Sequence, residues 1–257
     1  MGLFDKLRGK PAATATQPSV PGGRRVYAVG DIHGRADLLT QLHSLIKKDA
    51  AAFDGEKRVV YLGDVIDRGE ESRQVIELLL GEPLPGFEAI YLMGNHENAA
   101  LTFLDDPESI PGWLSWGGRE MLYSYGIKCG LSPSPQELQK LGRELKMTLP
   151  PSHIEFLENG QLCHQEGDYY FVHAGIRPGV ALAQQRFEDQ LYIREPFISS
   201  TRDHGATVVH GHTITDHPEL LPNRIGLDTG AYYSGVLTCL VLEAEDQRLI
   251  QTGSGSC

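Results

Sequence analysis

Gly30-Asp31-Ile32-His33-Gly34 follows the apolar run Val26-Tyr27-Ala28-Val29, and that junction decides how the rest of the chain reads. Four more junctions repeat it in order. Val59-Val60-Tyr61-Leu62 precedes Gly63-Asp64-Val65-Ile66-Asp67-Arg68-Gly69, and Ile90-Tyr91-Leu92-Met93 precedes Gly94-Asn95-His96-Glu97. Tyr170-Phe171-Val172 precedes His173-Ala174-Gly175, and Val208-Val209 leads into Gly211-His212-Thr213. Short apolar runs of this kind read as strands buried on both faces, and open α/β sheets bind ligands outside the carboxyl ends of their strands. Each polar signature carries Asp, Asn or His, so five strand ends direct oxygen and nitrogen donors at one place.

Between the first three signatures the pattern alternates strand and helix. Leu38, Leu39, Leu42, Leu45 and Ile46 fall on one helical face, and a second helix is expected over 72–80, stopped by Gly81 and Pro83. This rhythm predicts an α/β fold with a mainly parallel sheet. Residues 98–168 break it and read as helices over 97–104, 113–125, 136–147 and 153–159, a cap-like insertion folded over the sheet edge. Capping boxes are expected at Ser134-Pro135-Gln136-Glu137 and Ser152-His153-Ile154-Glu155. Beyond it lie a hairpin turning at Glu166-Gly167 and strands over 207–209, 225–227, 237–242 and 248–252. Residues 1–23 read as a flexible segment: a short amphipathic helix over 1–10, then a linker rich in Pro, Ala, Thr and Gly. The folded domain is expected over 24–252, with a flexible tail at 253–257.

Composition bounds the function. The 257 residues are 40% hydrophobic and 22% charged, as in ordinary globular proteins. A formal net charge of −11 argues against nucleic acid as a partner. No run is long enough for a membrane span, and no secretory leader is evident. Cys129, Cys163, Cys239 and Cys257 are widely spaced and read as reduced thiols, which points to the cytoplasm.

Asp, Asn and His together are hard-to-borderline ligands. Asp31, His33, Asp64, Asn95, His173 and His212 are too many for one catalytic zinc, but suit two divalent ions if one carboxylate is shared. Manganese is the first choice, with iron, zinc and magnesium also compatible. Glu97 reads as a helix-start carboxylate or one that supports the ligands from behind, and His210 as a structural or hydrogen-bonding histidine. Trp113, Trp116 and Tyr123 form a helical stripe read first as cap core, with the lining of a substrate groove as the alternative.

Over Arg25 to Leu242 these motifs, as a set, resemble the phosphoprotein phosphatase branch of the calcineurin-like metallophosphoesterases. The resemblance implies a four-layer αββα sandwich. It implies that Asp31 and His33 bind one metal, Asp64 bridges, and Asn95, His173 and His212 complete the second. His96 becomes the general acid with Asp67 behind it, and Arg68, Asn95 and Arg194 bind substrate phosphate. A rim tyrosine corresponds to Tyr233, with Tyr232 an equal occupant. Ile214 stands where other calcineurin-like enzymes place a histidine, which fits this branch. The implied activity is one-step hydrolysis of phosphorylated protein or peptide, on serine or threonine and with tyrosine open, by hydroxide held between the metals. The alternatives are a symmetrical dinucleoside polyphosphate hydrolase and a non-catalytic scaffold of the same fold. The oligomeric state is left open.

Overall fold

Three apolar runs of the first half, β1 (Arg24–Val29), β2 (Glu56–Tyr61) and β3 (Phe87–Tyr91), pair in parallel in the computed structural model, which describes residues 17–253. The expected helix over 1–10, residues 11–16 of the expected linker and nearly all of the expected tail lie outside the described residues. Between β1 and β2, α1 (Ala36–Ala50) buries Leu38, Leu39, Leu42 and Ile46 at helical spacing, while Leu45 stays partly exposed. After β2, α2 (Ser72–Leu80) ends where the Gly81 N–H donates to the Glu77 carbonyl.

The stretch after the third signature supplies α3 (Asn95–Asp105), α4 (Arg119–Ser124), α5 (Pro135–Thr148) and α6 (Pro151–Glu158). Phe103, Leu122, Leu141 and Leu157 from these helices share one buried core with Tyr27, Val59 and Tyr61 of the sheet, so they extend the helical layer already begun by α1 and α2. Ser134 caps α5 as expected: its hydroxyl accepts from the Glu137 N–H, and the Glu137 carboxylate accepts from the Ser134 N–H. The second expected box does not form. Proline suits the first turn of a helix, so α6 starts at Pro151 and leaves Ser152 inside it. The helix expected over 113–125 is interrupted as well. Gly117 at φ 126° ends a single wide turn over Leu114–Gly118, and α4 begins only at Arg119.

The second half contributes β4 (Cys163–Glu166), β5 (Tyr169–Val172), α7 (Phe187–Tyr192), β6 (Thr207–His210), β7 (Glu219–Leu220), β8 (Arg224–Gly226), α8 (Ala231–Ser234), β9 (Thr238–Glu243) and β10 (Asp246–Gln251). Ten strands form two five-stranded sheets, ordered β10-β9-β1-β2-β3 and β4-β5-β6-β8-β7. The mainly parallel sheet is therefore corrected. Four pairings are parallel and four antiparallel, because the β9–β10 hairpin returns beside β1, while β4 and β7 run against their neighbours. Val26, Ala28 and Val60 of one sheet meet Phe171, Val209 and Ile225 of the other in a common core. On the far side Tyr170, Val172 and Val208 pack on Ile193 and Phe197. The layers run helix, sheet, sheet, helix, as the resemblance implied.

The expected flexible linker is also corrected at its end. Val20 is buried in the inter-sheet core and its N–H donates to the Ala244 carbonyl, while Ser19 binds Asp168 through both its N–H and its hydroxyl. An apolar side chain that closes the end of a core is held as firmly as a strand residue. Among the described residues no helix is long and apolar enough to cross a membrane.

Candidate functional site

Loops leaving the carboxyl ends of β1, β2 and β3 in one sheet and β5, β6 and β8 in the other converge. The Ile32 and His33 N–H groups both donate to the Asp64 carbonyl, at 3.1 and 2.9 Å, and the Gly211 N–H donates to the His173 carbonyl at 2.8 Å. The sheets are tied together where the His212 N–H donates to both Asp31 carboxylate oxygens, at 3.1 and 3.2 Å. Two glycines permit the approach. A Cβ at Gly94 would lie 2.1 Å from Asp64 Oδ1, and one at Gly211 would lie 2.0 Å from Asp31 Oδ1.

All six expected ligands come together. His33 Nε2 lies 3.5 Å from Asp64 Oδ2 and 4.0 Å from Asp31 Oδ2, and His173 Nε2 lies 3.5 Å from Asp64 Oδ1. Asn95 Oδ1 stands 2.9 Å from His173 Nε2 and 2.8 Å from His212 Nδ1. Asp64 thus turns one oxygen to each group of donors. Second contacts fix the ring tautomers: the Nδ1–H of His33 donates to the Ile66 carbonyl and that of His173 to the Leu62 carbonyl, each at 2.8 Å. This leaves both Nε2 lone pairs facing inward, the ligating form. His33 Nε2 is buried and has no hydrogen-bond partner, which is what a position for a divalent ion requires.

Charge agrees with geometry. Burial holds His33 and His173 below the ordinary histidine range and His212 down to about 3, so all three are neutral at pH 7. Burial, then Asp228 and Asp64, push the Asp31 carboxyl well up. Asp64 is held low, because His173 and the other histidines around it outweigh its burial.

The backbone is strained here. His33, Asp64, Asp67, Arg68 and His212 all have φ between 47° and 69°, a left-handed region that non-glycine residues avoid. Such residues cost about 1–3 kcal/mol each and cluster at functional sites.

Beside the ligands, the His96 Nδ1–H donates to Asp67 Oδ2 at 2.7 Å, and its Nε2 lies 3.8 Å from Asp64 Oδ2. Burial alone would lower the pKa of this imidazole, but Asp64 and the hydrogen bond to Asp67 raise it to about 9. Arg68 places a guanidinium nitrogen 3.1 Å from the same Nε2, where the imidazole would have to accept. The two demands conflict in the free chain, and an anion lying between the groups would accept from both.

Several residues support the centre, of which Glu97 was expected to and the others were not. The Glu97 carboxylate accepts from the N–H groups of Asp64, Val65 and Gly94 at 2.8–2.9 Å, so it holds the second and third signatures together. Trp113 is core, as its spacing implied, but its indole N–H also donates to Asp67 Oδ2 at 2.7 Å. The Arg68 N–H donates to the Gly117 carbonyl at 3.2 Å and its Nε to the Trp116 carbonyl at 3.4 Å. Asp228, buried at the end of β8, has one carboxylate oxygen on the Gly230 N–H and the other without a partner. The strand-end rule that found the other ligands would have found it too. His210 is buried, with its ring edge-on to Phe197, and it does not join the donor cluster.

A cleft of about 710 Å³ opens over the centre and is lined by Arg68, Asn95, His96, Arg194, His212 and Tyr232 among others. Arg194 therefore lies where expected, on the rim. Tyr233 does not line this cleft. Successive residues of α8 point in different directions, so Tyr232 takes the cleft, edge-on to His33 and under the Arg68 guanidinium, while the Tyr233 ring turns over Gly230.

A family model for calcineurin-like phosphoesterases matches residues 24–234. A bis(5'-nucleosyl)-tetraphosphatase PrpE [asymmetrical] of Bacillus mycoides (strain KBAB4) is 25% identical over 233 residues, covering 82% of this chain and 88% of the relative. A solved structure described as a candidate diadenosine tetraphosphatase superposes with a TM-score of 0.61 at 22% identity, covering 93% of this chain and 97% of that one. A cold-active protein tyrosine phosphatase of a psychrophilic Shewanella gives 0.55 at 17% identity, covering 95% and 86%. The curated relatives thus carry a dinucleotide name, where the sequence reading expected phosphoprotein.

Proposed function

The chain belongs to the calcineurin-like phosphoesterase family, and from that premise we propose that it hydrolyses the phosphoanhydride of a dinucleoside polyphosphate at the centre around Asp64. The observation that carries the chemistry is the shared carboxylate of Asp64 between two sets of inward-facing donors, with the Asp67–His96 pair alongside. Asp31, His33 and Asp64 would hold one divalent ion, and Asp64, Asn95, His173 and His212 the second. When bound, such a pair makes hydroxide available near neutral pH and offsets phosphate charge. Arg68 and Arg194 bind phosphate oxygens, and Asn95 assists from its place between the histidines. His96 gives its Nε2 proton to the leaving oxygen while Asp67 holds the ring in register. The substrate assignment is supported by the curated relatives and by a cleft far larger than one phosphate group.

A second reading, a serine/threonine protein phosphatase that also accepts phosphotyrosine, is favoured by Ile214 in the last signature and by Glu97 after Asn95-His96. One assay separates the two. Purified protein with Mn²⁺ is given diadenosine tetraphosphate and a phosphopeptide panel, and the products are resolved by ion-exchange chromatography. Faster turnover of the dinucleotide, to ATP plus AMP, is the expected result. Faster turnover of phosphopeptides selects the second reading, and no turnover of either with any divalent metal sinks both.

Trp113→Phe tests the link from the insertion to the acid. It keeps an aromatic ring in the core but removes one donor from the buried Asp67 carboxylate, a loss of about 1–2 kcal/mol. We expect kcat to fall about tenfold with the metal content unchanged, as for other residues that orient a working group. Steady-state kinetics with metal analysis checks this, and an unchanged kcat would remove Trp113 from the mechanism.

A further inference from the structure

Trp113 and Trp116 are the only two tryptophans of the chain, and three residues apart they go opposite ways: Trp113 is fully buried and Trp116 is 46% exposed. Trp116 is among the residues that line the same cleft as Arg68, His96 and Arg194. Its position is fixed from two sides. The Trp116 carbonyl accepts from Arg68 Nε, so the indole is anchored to the backbone that braces the phosphate arginine. Its ring atoms Cζ2, Cε2 and Nε1 lie 3.3–3.6 Å from where a Cβ at Gly112 would sit, so the ring rests on bare backbone. What remains is an exposed, preoriented aromatic side chain at a cavity of the size that takes a nucleotide-sized ligand.

Resting on the reading of the substrate as a nucleoside polyphosphate, we propose that Trp116 is the base-stacking subsite, holding a nucleobase while Arg68 and Arg194 hold the phosphates. The cleft pairs cations with an exposed indole, and a nucleotide pairs anions with a flat base. Of the other charged residues that line the cleft, Arg119 is already committed, donating to the carbonyls of Leu114, Gly130 and Leu131, and Glu120 is an anion. A stacking surface reads the π-face common to all bases, so adenine and guanine nucleotides are accepted about equally.

The test uses the full chain with Mg²⁺. AMP quenches tryptophan fluorescence saturably and ribose 5-phosphate does not, and Trp116→Phe abolishes the AMP quench. Trp116→Ala lowers the ratio of kcat/KM for diadenosine tetraphosphate over inorganic tripolyphosphate about tenfold, a typical loss for one base–aromatic stack. Trp116→Phe, which keeps a ring, restores most of that ratio. A ratio unchanged in Trp116→Ala, or an AMP quench that persists in Trp116→Phe, overturns the subsite. If AMP quenches through Trp116 but no dinucleotide is cleaved, the substrate reading falls and the subsite stands. If the dinucleotide is cleaved with equal preference by Trp116→Ala, the reverse holds.

Discussion

Asp64→Asn lowers kcat/KM by on the order of a thousandfold and leaves the chain unable to hold two divalent ions at once, the effect expected when the shared carboxylate of a two-metal site is lost. In the wild-type chain Oδ2 faces His33 and Oδ1 faces His173. An amide keeps one oxygen and turns an NH₂ towards the other set, where a donor repels a cation. The fold is expected to survive. Asp64 sits at φ 50°, a conformation asparagine tolerates well, and the remaining oxygen can still accept the His96 N–H. Metal analysis by mass spectrometry, beside a thermal melt, is the direct check. Two ions per chain with near-normal turnover would show that Asp64 is not shared.

His96→Asn has the next largest effect, about 10²- to 10⁴-fold in kcat, the usual range for losing a positioned general acid. The size depends on the leaving group. A poor alkoxide leaving group needs the proton, whereas the weakly basic p-nitrophenolate departs without it, so a phosphoserine peptide is expected to lose far more than p-nitrophenyl phosphate. The pH profile carries the same signature. An imidazole with a raised pKa is protonated below that value and empties as pH rises through it, so the wild-type rate falls on the alkaline side and the variant loses that limb. His96 Nε2 is also 3.8 Å from Asp64 Oδ2, near enough for a ligand. Equal losses on both substrates, together with a lost metal ion, would make it one.

The candidate ligands were legible because their chemistry and their place are both written locally: a donor residue just past an apolar run. All six fell into one cluster on that rule. The pairing of the sheets was not legible, since Val208-Val209 and Val59-Val60 look alike whether they lie in one sheet or two. Only the antiparallel returns, β9–β10 beside β1 and β4 beside β5, divide them. Trp113 shows a different limit. Helical spacing predicted burial for Trp113, Trp116 and Tyr123, but Trp113 alone is buried and the other two are exposed, and spacing says nothing of where the indole N–H points. Of the Tyr232/Tyr233 alternatives the cleft takes Tyr232, and the Ser152 box failed for a simpler reason: the helix starts at Pro151 rather than at 153, and element ends are the least determined part of a pattern.

The stretch Trp113-Leu114-Ser115-Trp116-Gly117 touches Asp67 through an indole N–H and Arg68 through two carbonyls. A hinged lid that swings clear of the centre would have to break these bonds, withdrawing a partner from the acid's carboxylate and the brace from the phosphate arginine at every opening. In this fold, then, the insertion is soldered to the two residues, Asp67 and Arg68, that stand behind the proposed acid and phosphate site. Transplanting the insertion from a relative would import catalytic competence or its loss along with selectivity, and only a graft that carries both contacts intact would exchange one without disturbing the other.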